Sequence, residues 1–329
     1  MSSIQKFINN YQDYKDLAEV KVHSYVEYNQ IKYPLVSVHF GNPKAPALVI
    51  TGGIHGLERI GAELCLSLLD SFHQRLSWDQ IAVDFLKSVQ IVFVPLANPV
   101  GFFEVRRSNA EGIDLMRNAP IESEDKTPFL LGGHHYSANL PWYRGNAVAQ
   151  ETEFLISTMK GVLENSNTVI SLDLHSGFGF KDQIWFPFAN SYKEFNQLSE
   201  LHLFFELFEK THPYHIYKIE PQSKNYLTHG DIWDYCYLKL KKENQVYLPL
   251  TLEMGSWIWV KKNPLQILSK SGLFNPMKQH RMHRTFRRHR PFFDFLIHSL
   301  VSNQIWTSHD KNLQEHIIKS ARKKFYEKV

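Results

Sequence analysis

The chain is 329 residues long and carries 37 Lys and Arg against 33 Asp and Glu, a formal net charge of +4. That length serves one large domain or two ordinary ones, and so slight a charge gives no reason to expect nucleic acid as a partner. No apolar run approaches a membrane span and residues 1–7 lack the apolar stretch of a secretion signal, so a soluble, cytoplasmic protein without a membrane partner is expected.

Strand-like and helix-like runs alternate along the chain, which predicts an α/β fold with a mixed, largely parallel sheet. Short apolar runs at 47–51, 89–95, 169–174, 184–188 and 247–253 read as core strands. Periodic segments at 57–72, 148–163 and 194–210 read as helices between them. Residues 122–142 contain Pro, Gly and two adjacent histidines with weak periodicity, the mark of a long, functional surface loop. The reading gives one catalytic domain over residues 1–302, its core beginning near Tyr25, and a short helical tail over 303–329. Cys65 and Cys236 fit no thiolate metal motif and read as reduced core residues.

The first of these strands, Leu48-Val49-Ile50-Thr51, runs into Gly52-Gly53 and then into His55-x-x-Glu58 at the head of a helix. His175 ends a second apolar run, 169–174, so it too lies at a strand terminus, where open α/β sheets gather their sites. Two imidazoles and one carboxylate, with a fourth position left for water, are what a catalytic zinc needs. Singly, each has an ordinary structural reading: a satisfied histidine, or a glutamate favoured by the first turn of a helix. Downstream, Glu253 ends the apolar strand Val246-Tyr247-Leu248-Pro249-Leu250-Thr251-Leu252. A carboxylate buried there has its charged form disfavoured unless a cation is close, and general-base work suits it. Arg107 and Arg117 sit in polar, Gly-containing loops and can polarise a carbonyl or grip a carboxylate, whereas Arg106 reads as a plain surface arginine.

The ordered set resembles the zinc carboxypeptidases of the carboxypeptidase A type over residues 45–257. The matching stretches are His55–Glu58, the turn Asn98-Pro99-Val100-Gly101, Arg107-x-Asn109, Gly112-Ile113-Asp114-Leu115-Met116-Arg117-Asn118, His175-Ser176, Tyr226 to Tyr235 and Thr251-Leu252-Glu253-Met254-Gly255. Tyr143-Arg144-Gly145 leading to Glu151-Thr152-Glu153 resembles a further family segment. The resemblance implies a three-layer α/β/α fold and one Zn2+ held by His55, Glu58 and His175. It implies Glu253 as proton shuttle, Arg107 as oxyanion stabiliser, Arg117 as the clamp on the substrate's terminal carboxylate and Tyr226 as the tyrosine that closes over substrate. Asp114 resembles the carboxylate that orients the first zinc histidine.

Two departures bear on substrate. The family has Asn before the carboxylate-binding arginine, and here Met116 stands there. Methionine cannot donate the second hydrogen bond; Arg144 or Asn118 could compensate. Trp233 falls near the position that lines the base of the specificity pocket, where it would narrow it. A basic stretch, Lys261-Lys262 and then His280 to Arg290, lies outside the general motif and reads as a solvated cationic face, with an anion site as the functional alternative. Residues 292–300 read as a helix docked on the core and 314–329 as a charged surface helix. Three functions follow: hydrolysis of a C-terminal residue from a peptide, deacylation of N-acyl amino acids or cleavage of cell-wall peptides, and catalytically inactive binding on the same scaffold.

Overall fold

The computed structural model describes residues 2–177, 179–307 and 311–327. Eight strands form one sheet: β1 (Glu19–Tyr28), β2 (Ile31–Gly41), β3 (Ala47–Gly52), β4 (Gln90–Val94), β5 (Thr168–Gly177), β6 (Gln183–Phe186), β7 (Lys218–Pro221) and β8 (Val246–Gly255). Their order is β1-β2-β4-β3-β5-β8-β6-β7. The central four, β4-β3-β5-β8, are parallel throughout. Antiparallel pairs join on either side, β2 to β4 and β6 to β8. The central strands are apolar on both faces, with every residue of β3 and β4 buried, which is how a parallel sheet covered by helices must read.

The helices are α1 (Ser3–Asn10), α2 (Arg59–Leu76), α3 (Gln80–Phe85), α4 (Pro99–Phe103), α5 (Gln150–Asn165), α6 (Leu198–Thr211), α7 (Ile232–Tyr235), α8 (Trp257–Lys262), α9 (Gln279–Val301), α10 (Gln304–Thr307) and α11 (Lys311–Phe325). The α/β expectation and the five core strands therefore hold, with boundaries moved by one to three residues. Residues 122–142 form a loop, as the weak periodicity predicts.

The structure adds an amino-terminal hairpin that the sequence reading passes over. β1 and β2 pair in register from Val26↔Tyr33 to Tyr28↔Ile31 around a two-residue turn, Asn29-Gln30. Both turn residues have positive φ, 50° and 65°, as a type I′ turn demands. The usual glycine is missing, so the turn carries no obvious signature. The basic stretch and the apolar stretch after it are one 23-residue helix, α9, which runs through Pro291. Residues 304–307 and 311–325 are helical too, and the latter helix docks on the body: Phe325 is buried, its ring 5.3 Å from that of Phe186. Cys65 and Cys236 are free and buried, as expected.

Candidate active site

The carboxyl ends of β3, β5 and β8 meet at one place. After β3, Gly53 turns the chain with a φ of +70°, and His55 and Glu58 follow before α2 begins at Arg59. Gly61 lets that first helical turn lie against β5: a Cβ there would sit 2.1 Å from the Leu174 carbonyl oxygen. This close approach carries Glu58 to His175. On the next strand Glu253 is the register partner of His175, so the two side chains leave the same face of the sheet.

Glu58 spans both imidazoles. His55 Nδ1 lies 2.9 Å from Glu58 Oε1 and His175 Nδ1 lies 3.0 Å from Oε2, while the Ser176 backbone N–H donates to Oε2 at 3.0 Å. One ligand atom from each residue falls within 4.8 Å of the others, and all three residues are buried. The outer nitrogens are also engaged. His55 Nε2 is 3.1 Å from Asp114 Oδ1 and His175 Nε2 is 2.6 Å from Asp173 Oδ2. When each Nε2–H donates to its carboxylate, the Nδ1 lone pairs are left facing the centre, the tautomer a metal requires.

Among the protein groups alone, the imidazoles and carboxylates balance one another's charge. Burial works to raise Glu58, yet the two rings overcome it and hold its carboxyl well below the usual range. Burial likewise works against His175, and Asp173 and Glu58 overcome it to raise the ring. Glu58 and Asp114 hold Arg107, and Glu58, Asp114 and Asp173 surround the two imidazoles. A divalent cation bound between the imidazoles and Glu58 would take the place of the proton that His175 holds there. A His₂-carboxylate donor set with oriented imidazoles fits zinc.

Arg107 donates from Nε to Asp114 Oδ2 at 2.7 Å and from Nη1 to Glu58 Oε1 at 3.2 Å. Its guanidinium is thereby fixed beside the metal ligands while still lining the cavity. Glu253 is held by shape: Gly177 on β5 leaves the space its carboxylate fills, since a Cβ there would lie 2.2 Å from Glu253 Oε1. Burial, then the neighbouring Glu58, pushes the Glu253 carboxyl up to about 8. The cavity that these residues share has a volume of about 630 Å³, and Met116, Arg117 and Tyr226 also line it.

Arg117 is buried in the wall. Its Nε donates to the Leu131 carbonyl at 3.1 Å and its Nη1 to the Met116 carbonyl at 3.2 Å, leaving Nη2 buried without a partner. Tyr226 lies alongside, with the Arg117 guanidinium 5.8 Å from its ring centre and Trp185 edge-on at 6.2 Å. Two residues fall elsewhere than the sequence suggests. Arg144 is not among the cavity-lining residues: both its terminal nitrogens bind Glu122 at 2.8 Å, and its Nε donates to the Arg117 carbonyl at 3.0 Å. It braces Arg117 from behind and cannot also replace the asparagine missing at Met116. Asn118 is equally committed, donating to the Arg144 and Ala147 carbonyls and accepting from the Ala149 N–H. Trp233 is buried and donates from Nε1 to Asp173 Oδ2 at 2.8 Å, so it supports His175 through Asp173 and leaves the cavity wall to others.

Asp173 is the functional residue the sequence reading missed. Its signal was present in Asp173-Leu174-His175, since alternate residues of a strand share a face. Asn98 is a second. Its side chain accepts from the Gly101 N–H and donates to the carbonyls of Ile54 and Arg107, tying together the two loops that present His55 and Arg107.

Comparison with known proteins agrees with this geometry. The chain is 30% identical over 156 residues to the human carboxypeptidase N catalytic chain, an alignment covering 41% of this chain and 32% of that protein. The alignment thus spans about a third of that relative's length. In fold it is similar to thrombin activatable fibrinolysis inhibitor, with a TM-score of 0.65 at 20% identity over 93% of this chain and 74% of the other. The carboxypeptidase A of Helicoverpa armigera gives the same TM-score of 0.65 at 12% identity over 93% and 73%. The family model described as zinc carboxypeptidase matches residues 4–259, most of the chain and every residue of the cluster just described, and on that match the chain belongs to the zinc carboxypeptidase family.

Proposed function

We propose that this protein is a metallocarboxypeptidase, which hydrolyses the last peptide bond of a substrate with a free C terminus. The observation that carries the proposal is Arg117 Nη2, a buried cationic donor without a partner, in the same cavity as His55, Glu58, His175 and Glu253. A charged donor buried and unpaired is costly, and a substrate carboxylate relieves that cost. Met116 supplies no second donor beside Arg117.

His55, Glu58 and His175 would hold zinc, which when bound polarises a carbonyl and makes water a nucleophile near neutral pH. Glu253 accepts the proton of the attacking water and returns it to the departing amine nitrogen; the raised pKa that burial gives it suits the return, and a cation held by the ligands would keep it ionised for the uptake. Arg107, anchored to Asp114 and Glu58, presents its positive charge to the carbonyl oxygen as that oxygen gains charge. Tyr226 covers the clamp. Among the described residues lining the cavity, Glu58 and Glu253 are the only acids, and both are committed to chemistry. Trp142, Trp185, Leu131 and Phe274 supply the apolar wall. Gln183, Gln222, Asn225 and Thr251 add neutral polar groups, so the substrate's last side chain is neutral, with Phe and Leu suited to the aromatic wall, and not Lys or Arg. Free, buried cysteines support a cytoplasmic setting.

The test is mass-spectrometric analysis of products from a peptide panel incubated with zinc-loaded protein, with a chelated control. Matched peptides ending in Phe, Leu, Lys or Glu carry free or amidated C termini, and N-acyl amino acids and cell-wall peptides accompany them. Loss of one residue from free-terminus peptides ending in Phe or Leu is expected. Turnover that ignores amidation, or that is confined to N-acyl amino acids, would overturn the reading. Glu253→Gln should keep one equivalent of zinc while losing turnover by at least about a hundredfold.

A further inference from the structure

Charge is distributed unevenly along this chain. From Met254 to Phe293 there is no Asp or Glu, and nine of the 37 Lys and Arg fall in that stretch. The rest of the chain keeps 28 basic residues against 33 acidic, a net of −5 opposite a segment of +9. A modest total of +4 therefore conceals one strongly basic segment.

Part of that charge is structural. Arg281 donates to the Trp259 and Lys262 carbonyls, capping α8. Arg288 pairs with the buried Asp182, and Arg290 with Asp294. The remaining six, Lys261, Lys262, Lys270, Lys278, Arg284 and Arg287, are exposed, and no ion pair engages them among the described residues. On α9, His280, His283, Arg284 and Arg287 are exposed at helical spacing. Lys262, His280, Arg281 and Arg284 converge on a small cavity of about 130 Å³ beside the amino terminus of α9.

Apolar side chains protrude from the same segment. The turn Pro264–Leu268 leaves directly from Lys262, and in it Leu265 is 76% and Leu268 83% exposed. Met277, just before Lys278, is also exposed. The two ends of this excursion are tied together, because Arg281 at the start of α9 holds the Lys262 carbonyl while Gln266 donates to the carbonyls of Gly272 and Asn275. A braced turn holding aliphatic side chains in solvent within a field of unpaired cations has a defined complement.

We propose that the surface formed by Lys261–Lys278 and the first three turns of α9 docks this protein peripherally on an anionic lipid bilayer. Leu265 and Leu268 enter the boundary between headgroups and acyl chains, and the cations, with Lys262 and Arg284 at the cavity, bind lipid phosphates. That division of labour is the one interfacial segments use, apolar groups inserted and long basic side chains held at headgroup level. Nucleic acid is the poorer complement, since protruding aliphatic residues offer no stacking platform for bases. No helix among the described residues is long and apolar enough to cross a membrane, so the attachment is to one face. It revises the expectation that the protein has no membrane partner.

Co-sedimentation of the full zinc-loaded chain with vesicles tests this. Strong partitioning onto phosphatidylglycerol vesicles, little onto pure phosphatidylcholine, and release at about 0.5 M NaCl are expected. K261A/K262A should weaken partitioning roughly 25-fold, about fivefold per cation removed, and L265S/L268S by at least about tenfold. All four substitutions replace exposed side chains, and circular dichroism would verify folding. Absence of binding to phosphatidylglycerol, full binding by L265S/L268S, or equal affinity for a duplex oligonucleotide would each overturn the proposal. None of these results depends on turnover, so they leave the hydrolase reading to its own test.

Discussion

Asp173 shows how much of this site depends on a residue that touches neither substrate nor metal. Its Oδ2 accepts from His175 Nε2 at 2.6 Å and from Trp233 Nε1 at 2.8 Å. The indole fixes the carboxylate, the carboxylate fixes the imidazole, and Nδ1 is left to face Glu58. Asp173→Ala is expected to weaken zinc binding by about 10–100-fold, measured by competition with a chromophoric chelator, and Trp233→Phe to weaken it less. Equal affinity in the alanine variant would show that His175 is oriented by packing alone. The ligands, Glu253 and the two arginines were legible because each sits in a short motif with fixed spacing. Arg144 and Trp233 were not, because a residue's position in a motif does not say which way its side chain points. Only the tertiary structure sets Glu122 against Arg144 and Asp173 against Trp233.

Elements were legible where one periodicity dominated. β3, β4 and the interior of β8 are near-continuous apolar runs because both faces are covered, and such runs mark themselves, while β5 keeps enough of that pattern despite Ser171 and Asp173. The β1–β2 hairpin was harder: β1 alternates between partly buried and exposed residues, and Asn29-Gln30 lacks the glycine that announces a tight turn. The short helix α7 shows a device that sequence gives only in part. Asp231 Oδ1 accepts from the Trp233 and Asp234 N–H groups and so caps it, an ordinary use of Asp. Its burial is not ordinary. Burial pushes Asp231 up to about 6, and burial together with Asp231 raises Asp234 well above the carboxylate range. A folded-state pKa above the unfolded value means that the folded protein binds the proton more tightly. The stability this lends is complete below about pH 4 and is lost as pH rises towards 6. Asp231→Asn keeps the capping oxygen and removes that titration. Between about pH 4 and 6 the variant should gain on the wild type in urea unfolding, by up to about 3 kcal/mol. Parallel stability curves for the two proteins would mean that Asp231 titrates normally.

At the scale of the molecule, the sheet order places the reaction centre where three parallel strands end, and the antiparallel flanks close the edges. The carboxyl-terminal helices belong to that closure. Trp306 of α10 is fully buried, its ring 5.4 Å from Phe204 on α6 and its Nε1 donating to the Ser299 carbonyl. Phe325 of α11 lies against Phe186 of β6, the strand paired to the one that carries Glu253. Ion pairs of Arg322 with Glu194 and of Lys324 with Glu209 join α11 to the start and body of the α6 region, though exposed pairs of this kind contribute little. The aromatic anchors contribute more, about 1.5–3 kcal/mol each for full burial. Against a typical unfolding free energy of about 5–15 kcal/mol, losing both consumes a large share. A charged helical tail looks dispensable in sequence because its two anchors are only two aromatic residues among many polar ones. A chain ending at Ser302 should therefore unfold at a distinctly lower temperature and expose enough apolar surface to bind a hydrophobic dye. Since Phe186 is two strands from the metal ligands, zinc affinity in whatever fraction folds should stay within about tenfold of the full chain's. An unfolding midpoint unchanged by the truncation would show that α10 and α11 rest on the domain without completing its core.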